Sequence, residues 1–535
     1  MAKTSSDEAG GNPFAAMLEA QARWAEMMFA PLPQLAKDGD ADAPTALSDM
    51  QKWAENATRL QTMWLEFCQS HAIEATGEMM AGDPAKWFAM FETWTEQLPF
   101  ADPAEQQRWW AESAQLWQAL MLPQGDADGD DGGKLELPRE DRRFADPRWR
   151  EQPVFALLHQ TYLMLTERVL AMVEKMDQVD PAKREQLKFA TQAMAEALSP
   201  ANFAATNPIV LDRIMESRGE SLVNGMQNLL RDIQKGQLTH TDPEAFVLGE
   251  NLATTPGKVV HETPLFQLIQ YEPSTEKVLG VPLIIFPPWI NRFYILDLNE
   301  KKSFVKWAVD QGLTVFMVSW KSADASMKDV VWDDYIAAQI EAIDHVRKRL
   351  RQSAVHTIGY CVAGTTLAAT LAVKGELNKV KSATFFTAQV DFSEAGELLH
   401  FIDDQQIAAI KSLERDGFID GRYMAATFNL LRGNDLIWNY VVRNYLLGED
   451  HTAFDLLHWN GDVTNLPAKW HQQYLQQLYR DNLLVKPGKL EALGVPIDLG
   501  KVDIPTYIQA GKDDHIAPVS SVWKITEQFS GPMRF

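Results

Sequence analysis

The chain has 535 residues, 46% of them apolar, which is material for a sizeable core and more than one domain usually holds. Its 50 Lys+Arg against 73 Asp+Glu leave a formal charge of −23, which repels nucleic acid and anionic lipid and argues against both as partners. It has two cysteines, Cys68 and Cys361, no charged-then-apolar leader and no apolar run near the ~20 residues of a spanning helix, so a disulfide framework, secretion and a transmembrane segment are disfavoured and a reducing cytoplasm is expected.

Residues 1–122 read as amphipathic helices separated by proline. Asn12-Pro13 offers a cap and first-turn pair, followed by Phe14, Met17, Leu18, Ala25 and Met28 at helical spacing. Met50, Trp53, Ala57, Leu60, Trp64 and Phe67 make a second stripe, with Cys68 as a core residue beside it. Trp87, Phe88, Met90, Phe91 and Trp94 mark a third helix. Nine of the 17 tryptophans fall in residues 1–150, so these helices either pack as an ordinary bundle or present a face to a partner helix or hydrophobic particle. PQGDADGDDGG (123–133) opens an acidic Gly/Asp linker spanning 123–141. Helical pattern returns over 142–245, punctuated by Asp180-Pro181 and Asn207-Pro208.

Residues 246–535 have a different character. Apolar runs at 265–272, 281–287, 313–320, 355–360, 382–390 and 504–510 alternate with helical pattern, which predicts a mostly parallel sheet covered on both faces. PMRF at the chain's end is also strand-like. Strands lapse between 392 and 490, where aromatic-rich helical sequence predicts a cap over the carboxyl edge of the sheet.

Within that pattern, VHTIGY-C-VAGTTLAATLAV reads as strand, tight turn and helix with Cys361 at the turn, a G-x-C-x-A version of the nucleophile elbow G-x-S-x-G. Small neighbours are needed because strand and helix nearly touch there. The helix N-terminus is expected to favour the thiolate, and the Val362 N–H to face a developing oxyanion. Ala363 holds the usual second-glycine position, with Gly364 one residue later. The elbow calls for an acid after a late strand, and GKDDHIAP (511–518) supplies Asp513 or Asp514. His515 reads as a loop residue and His356 as a packed one. His261, His451, His458 and His471 lack any spacing that argues for catalysis, and no cluster has metal-ligand spacing.

Taken together, FPPWINRFYILDL (286–298), VSWKSAD (318–324), WDDYIAA (332–338), GYCVAGT (359–365), DFSEAGEL (391–398), NDLIWNYVVRNYLLGE (434–449), FDLLHWNGDVTNLP (454–467) and GKDDHIAP (511–518) resemble polyhydroxyalkanoate synthases of class I. RRFADPRWRE (142–151) resembles the start of that family's shared N-terminal region. The resemblance implies an α/β-hydrolase fold with a helical cap insertion, preceded by an all-helical N-terminal domain. It implies polymerisation of (R)-3-hydroxyacyl-CoA with release of CoA, through an acyl group on Cys361, with Asp514 as the catalytic acid and oxyanion donors at Val362 and Ile290. It places the third catalytic member, a histidine of a Ser-Gly-His-Ile motif, beyond Phe535. No cofactor or metal is expected, CoA being a product. The implied partners are the growing polyester, the granule surface in the cytoplasm, a second copy of the chain and granule-associated proteins. Two rival readings are a thiol hydrolase resembling dienelactone hydrolase, and a non-catalytic protein whose tryptophan-rich helices coat polymer.

Overall fold

The computed structural model describes residues 43–70, 111, 140–176, 178–373, 377–414 and 416–535. The helices expected over 14–28 and 87–94, linker residues 123–139 and the side chain of Cys68 lie outside what is described. Helix α1 (Ala43–Ser70) contains the stripe from Met50 to Phe67. The chain packs as two compact units, Met1–Leu238 with Arg432–Asp450, and Thr239–Leu431 with His451–Phe535.

In the first unit the dipeptides ending in proline start helices, as the pattern predicts. Helices α2 (Pro153–Glu174), α3 (Pro181–Ala197) and α4 (Pro208–Glu216) all begin on proline, whose missing N–H would be unpaired in a first turn anyway. Asp180 accepts the Ala182 and Lys183 N–H groups and Asn207 accepts those of Ile209 and Val210, so two of the three starts carry a side-chain cap. Trp149 and Phe144 are buried at the centre, rings edge to face at 4.8 Å. Helix α5 (Glu220–Lys235) packs against Val441–Leu446, where Gly225 is required: a Cβ there would lie 1.8 Å from the Tyr445 carbonyl oxygen. Residues 432–450, inside the span expected to form the cap, thus belong to this unit.

The second unit is built on an eight-stranded sheet of β1 (Gly257–Glu262), β2 (Phe266–Tyr271), β3 (Leu283–Phe286), β4 (Val315–Trp320), β5 (Val355–Tyr360), β6 (Val380–Phe386), β7 (Thr506–Gln509) and β8 (Met533–Arg534). Their order is β1-β2-β4-β3-β5-β6-β7-β8, with antiparallel pairing at β1/β2 and β2/β4 and parallel pairing from β4 to β8. Helices α6 (Phe304–Asp310), α7 (Trp332–Leu350) and α8 (Val362–Ala372) connect the parallel strands. Every side chain of β3 is buried, as a strand covered on both faces requires. The expected α/β-hydrolase architecture is therefore present, and its cap elements within this unit include α9 (Asp404–Leu413), α10 (Gly421–Leu431), α11 (Asp455–Gly461) and α12 (Ala468–Gln473).

Candidate active site

Cys361 follows β5 and caps α8 with φ 53 and ψ −128, a backbone region that non-glycine residues enter only under strain. The strain is held by the surroundings. The Cys361 N–H donates to Phe386 O at 2.9 Å on the neighbouring strand, and its carbonyl accepts the N–H groups of Gly364 at 2.8 Å and Thr365 at 3.1 Å. A Cβ on Gly359 would lie 2.5 Å from Gly364 Cα, and one on Gly364 would lie 2.5 Å from the Ala388 Cβ. The close approach of strand and helix thus falls at Gly364, which is why alanine is tolerated at 363. Ala363 is fully buried and its carbonyl accepts from Gln339 Nε2 at 3.0 Å. Helix α8 is buried throughout, and Thr365, Thr366 and Thr370 satisfy their hydroxyls on Gln389 O, Val362 O and Gln339 Oε1. Thr387, at the end of β6, also has positive φ, 41, so two strained residues stand side by side at the carboxyl edge of the sheet.

Cys361, Val362 and Ile290 all line one cavity, and apolar side chains such as Leu398, Met424, Phe428 and Leu475 dominate its wall. The Val362 N–H points at the Cys361 sulfur, and among the described residues the Ile290 N–H donates to no protein group. The thiol itself departs from expectation. Burial pushes it up to about 11, with the Asp514 charge adding to the rise and the Val362 N–H opposing it. The helix terminus does favour the thiolate, but desolvation of the anion is the larger effect.

Of the adjacent acids, Asp514 is the one whose charge reaches Cys361, while Asp513 is exposed. The Asp514 Oδ1 accepts the N–H groups of Ile516 and Ala517, both at 2.9 Å, which fixes the loop after β7. Burial first, then the charges of Cys361 and Asp514, push the Tyr360 phenol up to about 12. His356 is half-buried on β5 with Nδ1 2.7 Å from Ser382 Oγ, and His261 pairs with Glu341 at 2.7 Å on edge strand β1.

Three residues in the cavity wall carry no motif. Tyr474–Arg480 winds as a π-helix, whose i to i+5 repeat puts Tyr474 and Tyr479 on one face; an α-helix would turn them apart. The two phenols hydrogen-bond to each other, and Gln389 Nε2 donates to Tyr479 Oη at 3.4 Å. Burial, more than any neighbour, holds both phenols well above their usual range. The third is His471, buried, with Nδ1 2.9 Å from Glu414 Oε1. A lone histidine 57 residues from its acid leaves no spacing signal, and only the folded cap brings the two together. Among the described residues no group of His, Cys, Asp and Glu is arranged to hold a metal ion, and no helix is long and apolar enough to cross a membrane.

A parallel sheet with a strained residue between strand and helix at its carboxyl edge defines an α/β-hydrolase-fold protein with cysteine at the elbow, and the family described as alpha/beta hydrolase fold matches residues 282–534. The family described as Poly-beta-hydroxybutyrate polymerase (PhaC) N-terminus matches residues 140–308. A poly(3-hydroxyalkanoate) polymerase subunit PhaC from Rhizobium meliloti is 44% identical over 430 residues, 78% of this chain and 70% of that one. A subunit of the same name from Cupriavidus necator is 41% identical over 440 residues, 80% of this chain and 73% of that one. The chain belongs to the poly(3-hydroxyalkanoate) polymerase family.

Proposed function

We propose that the protein polymerises (R)-3-hydroxyacyl-CoA into a polyhydroxyalkanoate with release of CoA, with Cys361 carrying the acyl group. The observation that carries this reading is the presentation of Cys361 at a strained elbow in the wall of an apolar cavity, in a chain whose relatives are named poly(3-hydroxyalkanoate) polymerases. In the first step the Cys361 sulfur forms a bond to the thioester carbon, the bond from that carbon to the CoA sulfur breaks, and CoA leaves with a proton. Exchange of one thioester for another is nearly isoenergetic, so the acyl-enzyme is not a trap. The 3-hydroxyl of a second unit then attacks the bound thioester, forming an ester as the bond from the acyl carbon to the Cys361 sulfur breaks and the hydroxyl proton passes to the released thiol. The Val362 and Ile290 N–H groups are the oxyanion donors, each worth roughly 3 kcal/mol by analogy with other acyl transfer sites.

A thiol at about 11 is ionised in about one molecule in 10,000 at neutral pH, so attack needs a general base. The imidazole implied by the family resemblance supplies it, and Asp514 orients that imidazole or assists loss of the hydroxyl proton. The apolar wall and the cap exclude water, which would otherwise hydrolyse the intermediate. Growing polyester, a granule surface and a second copy of the chain are the partners this reading adds.

The test is incubation with (R)-3-hydroxybutyryl-CoA while free CoA and pelletable polymer are both measured. Cys361→Ala is expected to abolish CoA release and protein-bound acyl label. Label retained by that variant, or soluble monomeric acid in place of polymer, would overturn the assignment.

A further inference from the structure

His471 in the cavity wall and its partner acid Glu414 have no task in the steps above. Glu414 follows α9 and His471 lies on α12; their side chains are 1% and 3% exposed. One carboxylate oxygen faces His471 Nδ1 at 2.9 Å, and the other accepts Gln472 Nε2 at 2.5 Å. A carboxylate only accepts, so Nδ1 carries the hydrogen, and the tautomer this selects is the one whose lone pair is on Nε2. His471 lines the Cys361 cavity, and no protein group among the described residues hydrogen-bonds its Nε2. Holding α9 to α12 needs only the Nδ1 side of the ring. The cavity that His471 lines has otherwise mostly apolar walls.

A hydroxyacyl thioester offers several oxygen atoms to such a space, and its carbonyls are acceptors that leave a lone pair unsatisfied. The one donor on the acyl group itself is the 3-hydroxyl. We propose that His471 Nε2, with its tautomer set by Glu414, accepts a hydrogen bond from the 3-hydroxyl of a hydroxyacyl unit in the cavity. His471 is then a substrate-contacting residue that selects 3-hydroxylated acyl groups, and Glu414 is a positioning residue. This rests on the acyl-transfer reading above.

The test compares acylation of Cys361 by 3-hydroxybutyryl-CoA and by butyryl-CoA, which lacks the hydroxyl, in the full chain. Because both rates come from the same preparation, their ratio cancels any loss of folded protein. His471→Asn keeps an amide nitrogen at the depth of Nδ1, able to hold Glu414, and removes the group at Nε2. It is expected to lower the hydroxy-to-deoxy ratio of kcat/KM by about tenfold, mainly through KM. His471→Gln places an amide oxygen at the depth of Nε2 and is expected to restore the ratio to within about threefold of the parent. Glu414→Gln, which no longer dictates the tautomer, is expected to lower it. An unchanged ratio in His471→Asn, or both substrates declining together, would overturn the proposal while leaving acyl transfer standing. No acylation of the parent protein by either thioester would sink the acyl-transfer reading first and this one with it.

Discussion

At position 364 a single methyl group decides whether the elbow forms. An alanine there places its Cβ 2.5 Å from the Ala388 methyl and 2.8 Å from the Gly359 carbonyl oxygen, and neither belongs to a flexible side chain. Strand β5 and helix α8 would have to separate, and Cys361 sits between them. Gly364→Ala is expected to cost about 3 kcal/mol or more and to slow alkylation of Cys361 by iodoacetamide. Ala363→Gly, one residue earlier, removes a buried methyl and adds backbone freedom, for about 1–2 kcal/mol, but relieves no contact and leaves the alkylation rate where it was. Thermal unfolding and alkylation kinetics on both variants check the pair. Equal effects on the thiol would mean that the close approach is not what presents it. G-x-C-x-A alone does not predict this, because the spacing of the second glycine depends on where the helix axis leaves the turn.

The elements differ in how openly their residues declare them. Strands β3 to β5 are apolar runs because both faces of the sheet are covered there, and five of the predicted runs coincide with β3 to β7, although β7 alternates buried and exposed side chains. Strand β1 was not foreseen: it is a mostly exposed edge with a register shift between Val259 and His261, so burial imposes no alternation on it. The π-helix at Tyr474–Arg480 and the Glu414–His471 pair were equally illegible, since neither a five-residue repeat nor a pairing across the cap leaves a period in the chain. Helix α2 carries a different signal. His159, buried and stacked on Phe144 at 4.1 Å, is held down to about 4 by burial, against the pull of the Asp141 charge; Arg150 and Arg143 add to the depression. Its folded value lies below the unfolded value of about 6.5, so the ring's contribution is complete above 6.5 and is lost as pH falls from there towards 4, by about 3 kcal/mol in all. Amide exchange of α2, corrected for the intrinsic rate, is expected to lose protection between pH 7 and pH 5. His159→Leu is expected to flatten that dependence, and the same slope in the variant would assign the acid sensitivity to another group.

Across the whole molecule, charge works against the substrate. The chain carries −23, and a CoA thioester is itself a polyanion, so the long-range field opposes their encounter. Many cations of the second unit are already spent on neighbouring acids: Arg292 on Asp462 at 3.1 Å, Lys302 on Asp455 at 2.8 Å, Arg422 on Asp420 at 2.6 Å, Lys469 on Asp329 at 2.5 Å and Lys524 on Glu394 at 2.9 Å. Such pairs are nearly neutral at a distance and add little attraction for an approaching phosphate. Salt should therefore help. The screening length shrinks from about 30 Å at 0.01 M to about 8 Å at 0.15 M, which removes repulsion between separated charges while leaving contacts inside the cavity almost untouched. kcat/KM for 3-hydroxybutyryl-CoA is expected to rise about threefold over that range, with kcat nearly constant. The corresponding thioester of N-acetylcysteamine carries no charge and is expected to show no such rise, which separates steering from any effect of salt on the fold. A fall in kcat/KM for the CoA thioester alone would mean that a cluster of arginine or lysine at the cavity entrance outweighs the net charge, and would locate recognition of the CoA phosphates there.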